Sequence, residues 1–280
     1  MSDQVVLVTG GGRGIGRAIA IGLAARETRV VVVDNGSETD GTGSDASVAT
    51  SVAAEIHGLG GEAMGFDADV TDESAVQLLL QESIAEWGAV DAVVNAAGNF
   101  RLGTILSMSL DDWDEISAIH VRGPMLTTRA AARWWIAEDR PGRIVNFTSH
   151  AGLSGISNLA AYATAKAAVI GLTLATANAL SSHHITANAI SPNAATRMAE
   201  AGVAASLTDP ENIPDLADPS LSADNLIPLV AFLTSEMAGD VSGRVITNHG
   251  STYSLLGIPA SEGAAVDGTS TVEAFLHWLS

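Results

Sequence analysis

The chain alternates between short continuous apolar runs and longer stretches with apolar residues at every third or fourth position. Gln4–Thr9, Arg29–Asp34, Gly61–Phe66, Val90–Val94, Gly142–Asn146, His184–Ile190 and Gly243–Thr247 have the length and composition of strands. Between them Arg17–Ala25, Val48–His57, 74–87, Asp111–Ala137, 158–181 and Leu226–Leu233 read as helices, the fourth as one long uninterrupted helix. Strands separated by helices pair in parallel, and strands apolar throughout must be covered on both faces. The pattern predicts one α/β domain over 1–254, a doubly wound parallel sheet of seven strands, followed by a C-terminal tail, 255–280.

Two stretches interrupt this rhythm. Residues 35–46 form an acidic Gly/Ser-rich loop longer than its connection needs, and we expect it to be exposed and mobile. Residues 194–225 are rich in Ala, Asp, Ser and Pro, with prolines at 210, 214 and 219 that break a helix, which suits either a substrate lid or an exposed insertion. Composition narrows the function. With no cysteine, disulfides and thiol catalysis are excluded, and a net charge of -19 argues against nucleic-acid and membrane partners. No apolar run is expected to reach the length of a membrane span, the start lacks the basic residues of a signal peptide, and a cytoplasmic location is expected.

The first strand runs directly into Gly10-Gly-Gly-Arg13-Gly14-Ile15-Gly16 and then a helix. Glycines there let backbone N–H groups and a helix N-terminus approach a pyrophosphate, as in a Rossmann dinucleotide site. The second strand ends in Asp34, where a carboxylate would hold both adenosine ribose hydroxyls and repel a 2′-phosphate, favouring NAD over NADP. Arg13 pulls the other way, since it could attract that phosphate. Asp69 and Val70 follow the third strand and suit the adenine amino group and ring. Asn95 and Gly98 follow the fourth, the Asn either bridging strands or touching the cofactor.

The strongest chemical signal lies later. Ser149 ends a β-branched strand, and a helix then carries Tyr162 and Lys166 four residues apart, on one face. Lys166 is the only lysine in the chain, and two tyrosines in 280 positions would fall four places before it by chance in about 0.7% of arrangements (2/280). A cation beside a phenol favours the phenolate, so Tyr162 can exchange a proton with an alcohol or ketone. The reading is a carbonyl/alcohol redox site that needs no metal.

Together Thr9-Gly10-x3-Gly14-x-Gly16, Asn95-Ala-Ala-Gly98, Ser149 and Tyr162-x3-Lys166, with thirteen residues from Ser149 to Tyr162, resemble the short-chain dehydrogenases/reductases over nearly the whole chain. The resemblance implies that Tyr162 is the general acid/base, that Lys166 holds the nicotinamide ribose and lowers the phenol's pKa, and that Ser149 binds the substrate oxygen. Pro192 and Thr196 would then meet the carboxamide. Two small-residue helices imply a helix-pair interface, hence a homodimer or homotetramer.

Two positions depart from that family's pattern. His120 stands where an Asn usually supports a proton-relaying water through its backbone carbonyl, and Asn193 stands where Gly usually follows Pro192. The expectation is that His120 keeps the relay, its ring being structural or adding a titrating step. The long loop after Asp34, Gly60-Gly-Glu-Ala, His120-Val-Arg-Gly and Ser191–Met198 resemble a narrower group, the dehydrogenase segment of peroxisomal multifunctional enzyme type 2 and its stand-alone bacterial relatives. That likeness implies a (3R)-3-hydroxyacyl-CoA substrate. The leading expectation is broader: an NAD-dependent oxidoreductase for a small-molecule secondary alcohol or ketone. A non-catalytic dinucleotide-binding module is the reading from another class.

Overall fold

A sheet whose strands are apolar on both faces must be covered on both, and that requirement sets the architecture. The computed structural model describes residues 4–195 and 215–256. Thr196, most of the 194–225 segment and most of the 255–280 tail therefore lie outside the described residues. The strands are β1 (Val5–Thr9), β2 (Arg29–Val33), β3 (Ala63–Phe66), β4 (Ala92–Asn95), β5 (Gly142–Phe147), β6 (Ile185–Ser191) and β7 (Val245–His249). They stand in the order β3-β2-β1-β4-β5-β6-β7, all parallel.

Alternate side chains divide between two cores, as the two-residue period of a strand dictates. Val6, Val8, Val30 and Val32 face one way, onto α1 (Gly14–Ala24), α2 (Ser47–Gly58) and α8 (Ile227–Thr234). Val5, Leu7, Val31 and Val33 face the other, onto α3 (Glu73–Trp87), α5 (Gly123–Ala137) and α7 (Ala160–Leu180). Burial of each such valine contributes about 1.5–3 kcal/mol. Trp135, the largest fully buried side chain, packs over Gly142 and donates its indole N–H to the Val90 carbonyl at 2.6 Å. The strand order turns back between β1 and β4, so a cleft opens at the carboxyl ends of the strands there.

Three expectations need correcting. Among the described residues the sheet has eight strands rather than seven: β8 (Thr252–Leu255) returns antiparallel along β7 after a turn in which Gly250 takes φ +56°. All four β8 residues are exposed, so no buried periodicity marked the strand; backbone pairing with β7 holds it, together with the Tyr253 hydroxyl, which donates to the Asn225 carbonyl at 2.6 Å. The long helix is not uniform. It consists of α4 (Leu110–Ser117), a π-helical turn at Ala118–Arg122, and α5. Pro124 explains the break, because it has no N–H to give the carbonyl of His120 and its ring crowds that carbonyl; the Gly123 N–H bonds back to Ala118 instead. Finally, Ala160–His183 is long and apolar enough, by length and composition, to cross a membrane. In the fold α7, which occupies most of that stretch, lies along β6 and turns Ala161, Ala165, Val169 and Ala177 inward.

Candidate active site

The glycines after β1 are each required for a different reason. Gly10 takes φ +65° and lies so near the backbone of Ala97 that a Cβ would come within 2.7 Å, while Gly14 opens α1 at φ +54°. A Cβ on Gly16 would lie 2.0 Å from the Gly10 carbonyl, so the turn folds back directly onto the helix. Arg13, the N-cap residue, makes no side-chain cap. The first N–H groups of α1 are thus available to an anion, and Gly10, Arg13, Gly14, Ile15 and Gly16 line a cavity of about 370 Å³. This cradle, closed to any side chain, fits a dinucleotide pyrophosphate.

Further along the same wall Asp34 accepts from the N–H of Gly12 (2.9 Å) and of Gly36 (2.8 Å). One carboxylate thereby ties the glycine turn to the loop after β2 while lining the cavity. Asp69 and Val70 also line it, Asp69 using one oxygen to accept from the Thr71 N–H at 2.8 Å. The loop expected to be mobile instead contributes Ser37, Glu38, Thr39 and Gly41 to the cavity wall.

The opposite wall carries Gly98, His120, Tyr162, Lys166 and Pro192. Thr148 Oγ1 donates to the Lys166 carbonyl at 2.6 Å, and Gly152 lies so close to the backbone of Lys166 and Ala167 that a Cβ would clash. These contacts press the turn after β5 onto α7 and bring the Ser149 hydroxyl, which accepts from the Ala151 N–H at 3.2 Å, close enough to the Tyr162 phenol to act on its pKa. Lys166 is buried, donates to the Phe147 carbonyl at 2.8 Å, and holds its Nζ 5.5 Å from the centre of the Tyr162 ring.

Burial governs the protonation of this wall. It pushes Lys166 down to about 7. It pushes the Tyr162 phenol up, opposed by the Ser149 hydrogen bond. Desolvation thus works against the acidified phenol expected from spacing alone, and Ser149 offsets part of it. His120 is held well below its ordinary value by burial first and the nearby Lys166 charge second, so the imidazole is neutral. Its Nε2 lies 2.6 Å from the Asn99 carbonyl and 3.3 Å from the Asn99 N–H. One nitrogen cannot serve both, and the shorter contact assigns the proton to Nε2 as donor. Nδ1 is then a bare acceptor with no partner among the described residues, and the ring stands edge-on to Tyr162 with centroids 5.2 Å apart.

Among the described residues, Asn95 and Ser149 are the predicted ones that do not line the cavity. Asn95 donates to Asn146 Oδ1 at 2.8 Å and accepts from Thr127 Oγ1 at 2.6 Å, so its amide is spent bridging β4, β5 and α5. Thr196 is outside the described residues. Sequence reasoning missed Asn99, which lines the cavity, and Glu115 of α4 beside it. The only signal for either was position: Asn99 directly follows Asn95-Ala-Ala-Gly98.

The sequence pattern of the short chain dehydrogenase family matches residues 4–206. The chain is 37% identical over 278 residues to hydroxyacyl-CoA dehydrogenase ChsB1 of Mycobacterium tuberculosis, covering 96% of this chain and 85% of that one. It is 35% identical over 242 residues to peroxisomal multifunctional enzyme type 2 of Mus musculus, covering 86% of this chain and 31% of that longer protein. Against the crystal structure of a short chain dehydrogenase from Mycobacterium avium the TM-score is 0.83 at 35% identity, over 99% of this chain and 93% of the other. A strand-end cleft with a glycine cradle on one wall and Tyr162 and Lys166 on the other, Ser149 lying beside the phenol, accords with these matches, and the chain belongs to the short-chain dehydrogenase family of oxidoreductases.

Proposed function

We propose that the protein interconverts a secondary alcohol and a ketone using NAD, with Tyr162 as general acid/base. The observation that carries this reading is the meeting of Tyr162 and Lys166, with Ser149 beside the phenol, on one wall of the cavity whose other wall holds the glycine cradle and Asp34. A bound nicotinamide would supply the acceptor for the substrate carbon's hydride, or in the reduced form its donor. Asp34 would hold the adenosine ribose. Arg13, the residue that could have drawn in a 2′-phosphate, donates to the Ser37 carbonyl and lies 3.4 Å from the Glu38 carboxylate, which supports NAD over NADP. Ser149 donates to the substrate oxygen, and Tyr162 takes the hydroxyl proton as the carbonyl forms. Lys166 favours the phenolate whenever it is charged, and at about 7 that charge is itself in balance near neutral pH. Neutral His120 offers Nδ1 as an acceptor and keeps Tyr162 in place without titrating.

A second reading, oxidation of a 3-hydroxyacyl-CoA, is supported by the printed activity of the Mycobacterium tuberculosis relative. Exposed Leu102, Ile105, Leu106 and Leu110 also suit an acyl chain, on a loop tied through Gly103 to Asn158 and Ala160 at the start of α7. Turnover confined to CoA esters and weakened by salt would select it. A pure binding module has no use for a lysine and a phenol buried at such cost. Small-residue helices α5 and α7 support a homodimer or homotetramer.

Tyr162→Phe tests the central claim. Turnover of NAD with a panel of secondary alcohols, acyl-CoAs and steroids should fall by about 10²–10⁴-fold or more, while the dissociation constant for NADH stays within about threefold. Turnover that survives the substitution removes Tyr162 from the acid/base role.

A further inference from the structure

The connection after β2 is longer than the fold requires, and its extra length is seated against the cleft. Residues 36–45 leave and return through a closed neck: the Asp45 N–H donates to the Asn35 carbonyl (3.1 Å), and a Cβ on Gly36 would lie 2.3 Å from the Asp45 carbonyl oxygen. The excursion between is tied to both cavity walls. On the nucleotide side Arg13 Nη1 donates to the Ser37 carbonyl at 3.1 Å. On the far side the Phe100 N–H donates to the Thr39 carbonyl (3.0 Å) and Arg101 Nε to the Asp40 carbonyl (2.8 Å).

Arg101 is itself fixed by two carboxylates of α4. Nη1 meets Asp112 and Nη2 meets Glu115 at 2.5 Å, so all three guanidinium nitrogens are engaged. The tip is seated as tightly. Gly41 has φ +86°, and a Cβ there would lie 2.2 Å from the Glu115 carboxylate and 2.3 Å from Asn99 Nδ2. Ser37, Thr39 and Gly41 line the same cavity as Asp34.

We infer that residues 36–45 are a strap latched across the dinucleotide cleft by Arg101, and that bound cofactor leaves only when this latch opens. The inference rests on the dinucleotide reading above and adds a gate to it. A ligand lying along the strand ends between the two walls passes under the strap, so release requires breaking the Arg101–Asp40 and Phe100–Thr39 hydrogen bonds first. One of these is charge-assisted, and together they slow opening by roughly ten- to a hundredfold. An arginine is needed because its flat fork reaches Asp40, Asp112 and Glu115 from one position, which a lysine ammonium cannot do.

Stopped-flow release of NADH tests the inference: the full-length protein is loaded with NADH, mixed with excess NAD, and followed by NADH fluorescence. Release should be slow in the wild type and faster with added salt, since the latch is partly exposed. Arg101→Ala and Gly41→Val should each speed release at least about tenfold, and Arg101→Lys should not restore it. Folded variants whose release stays within about twofold of wild type would overturn the strap while leaving the cofactor reading intact. A wild-type protein that binds no NADH overturns both. If the variants do not fold, hydrogen exchange on the wild type decides: the Phe100 and Asp45 amides should slow when NADH saturates the protein, and unprotected exchange there would sink the inference.

Discussion

The two walls of the cleft are built on opposite terms. The nucleotide wall presents backbone N–H groups and carboxylates that stay hydrated, with Asp34 partly exposed and Asp69 exposed. It offers a charged ligand fixed dipoles and asks little of the fold beyond glycine at Gly10, Gly14 and Gly16. The catalytic wall buries His120 and Lys166 and drives its titratable groups toward their neutral forms. That wall is costly to the folded state, and the cost buys a proton balance near pH 7. Binding and chemistry should therefore respond to different substitutions and to different solution conditions.

Lys166→Met should show the largest effect. Turnover should drop by about 10²-fold or more, because the charge that favours the phenolate is lost. Stability should move the other way, with a sign that pH reveals. Lys166 sits at about 7 in the fold against 10.5 for an ordinary lysine, so between these values the unfolded chain carries a proton that the folded chain lacks. Wild-type stability then rises with pH across that window, while the Met variant has no such titration. Chemical denaturation at pH 7 and pH 9 should find the variant's advantage shrinking by about 2 kcal/mol. An advantage constant with pH would mean Lys166 is not held near neutrality.

Gly16→Ala should break the other wall. The added methyl meets the Gly10 carbonyl at 2.0 Å, so the turn must move, at about 1–3 kcal/mol of stability and at least about a tenfold loss in NADH affinity by titration. Its pH–rate profile should match wild type when cofactor saturates. A shifted profile would show that the two walls are coupled. The smallest change is expected from His120→Asn: the ring is neutral throughout the working range, so the pH dependence of kcat should stay within about 0.3 unit of wild type. A limb that disappears from the profile would make the ring a titrating participant.

Much of this molecule is legible in the chain because it depends on neighbours in sequence. Strand and helix alternation came from periodicity, and the seven parallel strands lie within about two residues of their expected ends. Gly10, Gly14 and Asp34 sit at junctions of those elements, and Tyr162 and Lys166 in the first two turns of α7, so placing the elements placed them in the cleft. Prediction failed where a strong local pattern masked the cause, or where no buried pattern existed. The π turn follows from Pro124, which was readable but was overlooked inside a strong helical pattern. The β8 strand has no buried face to advertise it.

What the sequence by itself determined is the list of chemical groups and their order along parallel strands, since those follow from side-chain type and from periods of two and 3.6 residues. Only the tertiary structure decided that Ser149 meets Tyr162, that Asn95 is spent on Asn146 and Thr127, that Lys166 falls to about 7, and that residues 36–45 lie pinned to Arg101 rather than free. Hydrogen-bond partners and desolvation depend on what surrounds a group in three dimensions, and local sequence carries no record of either.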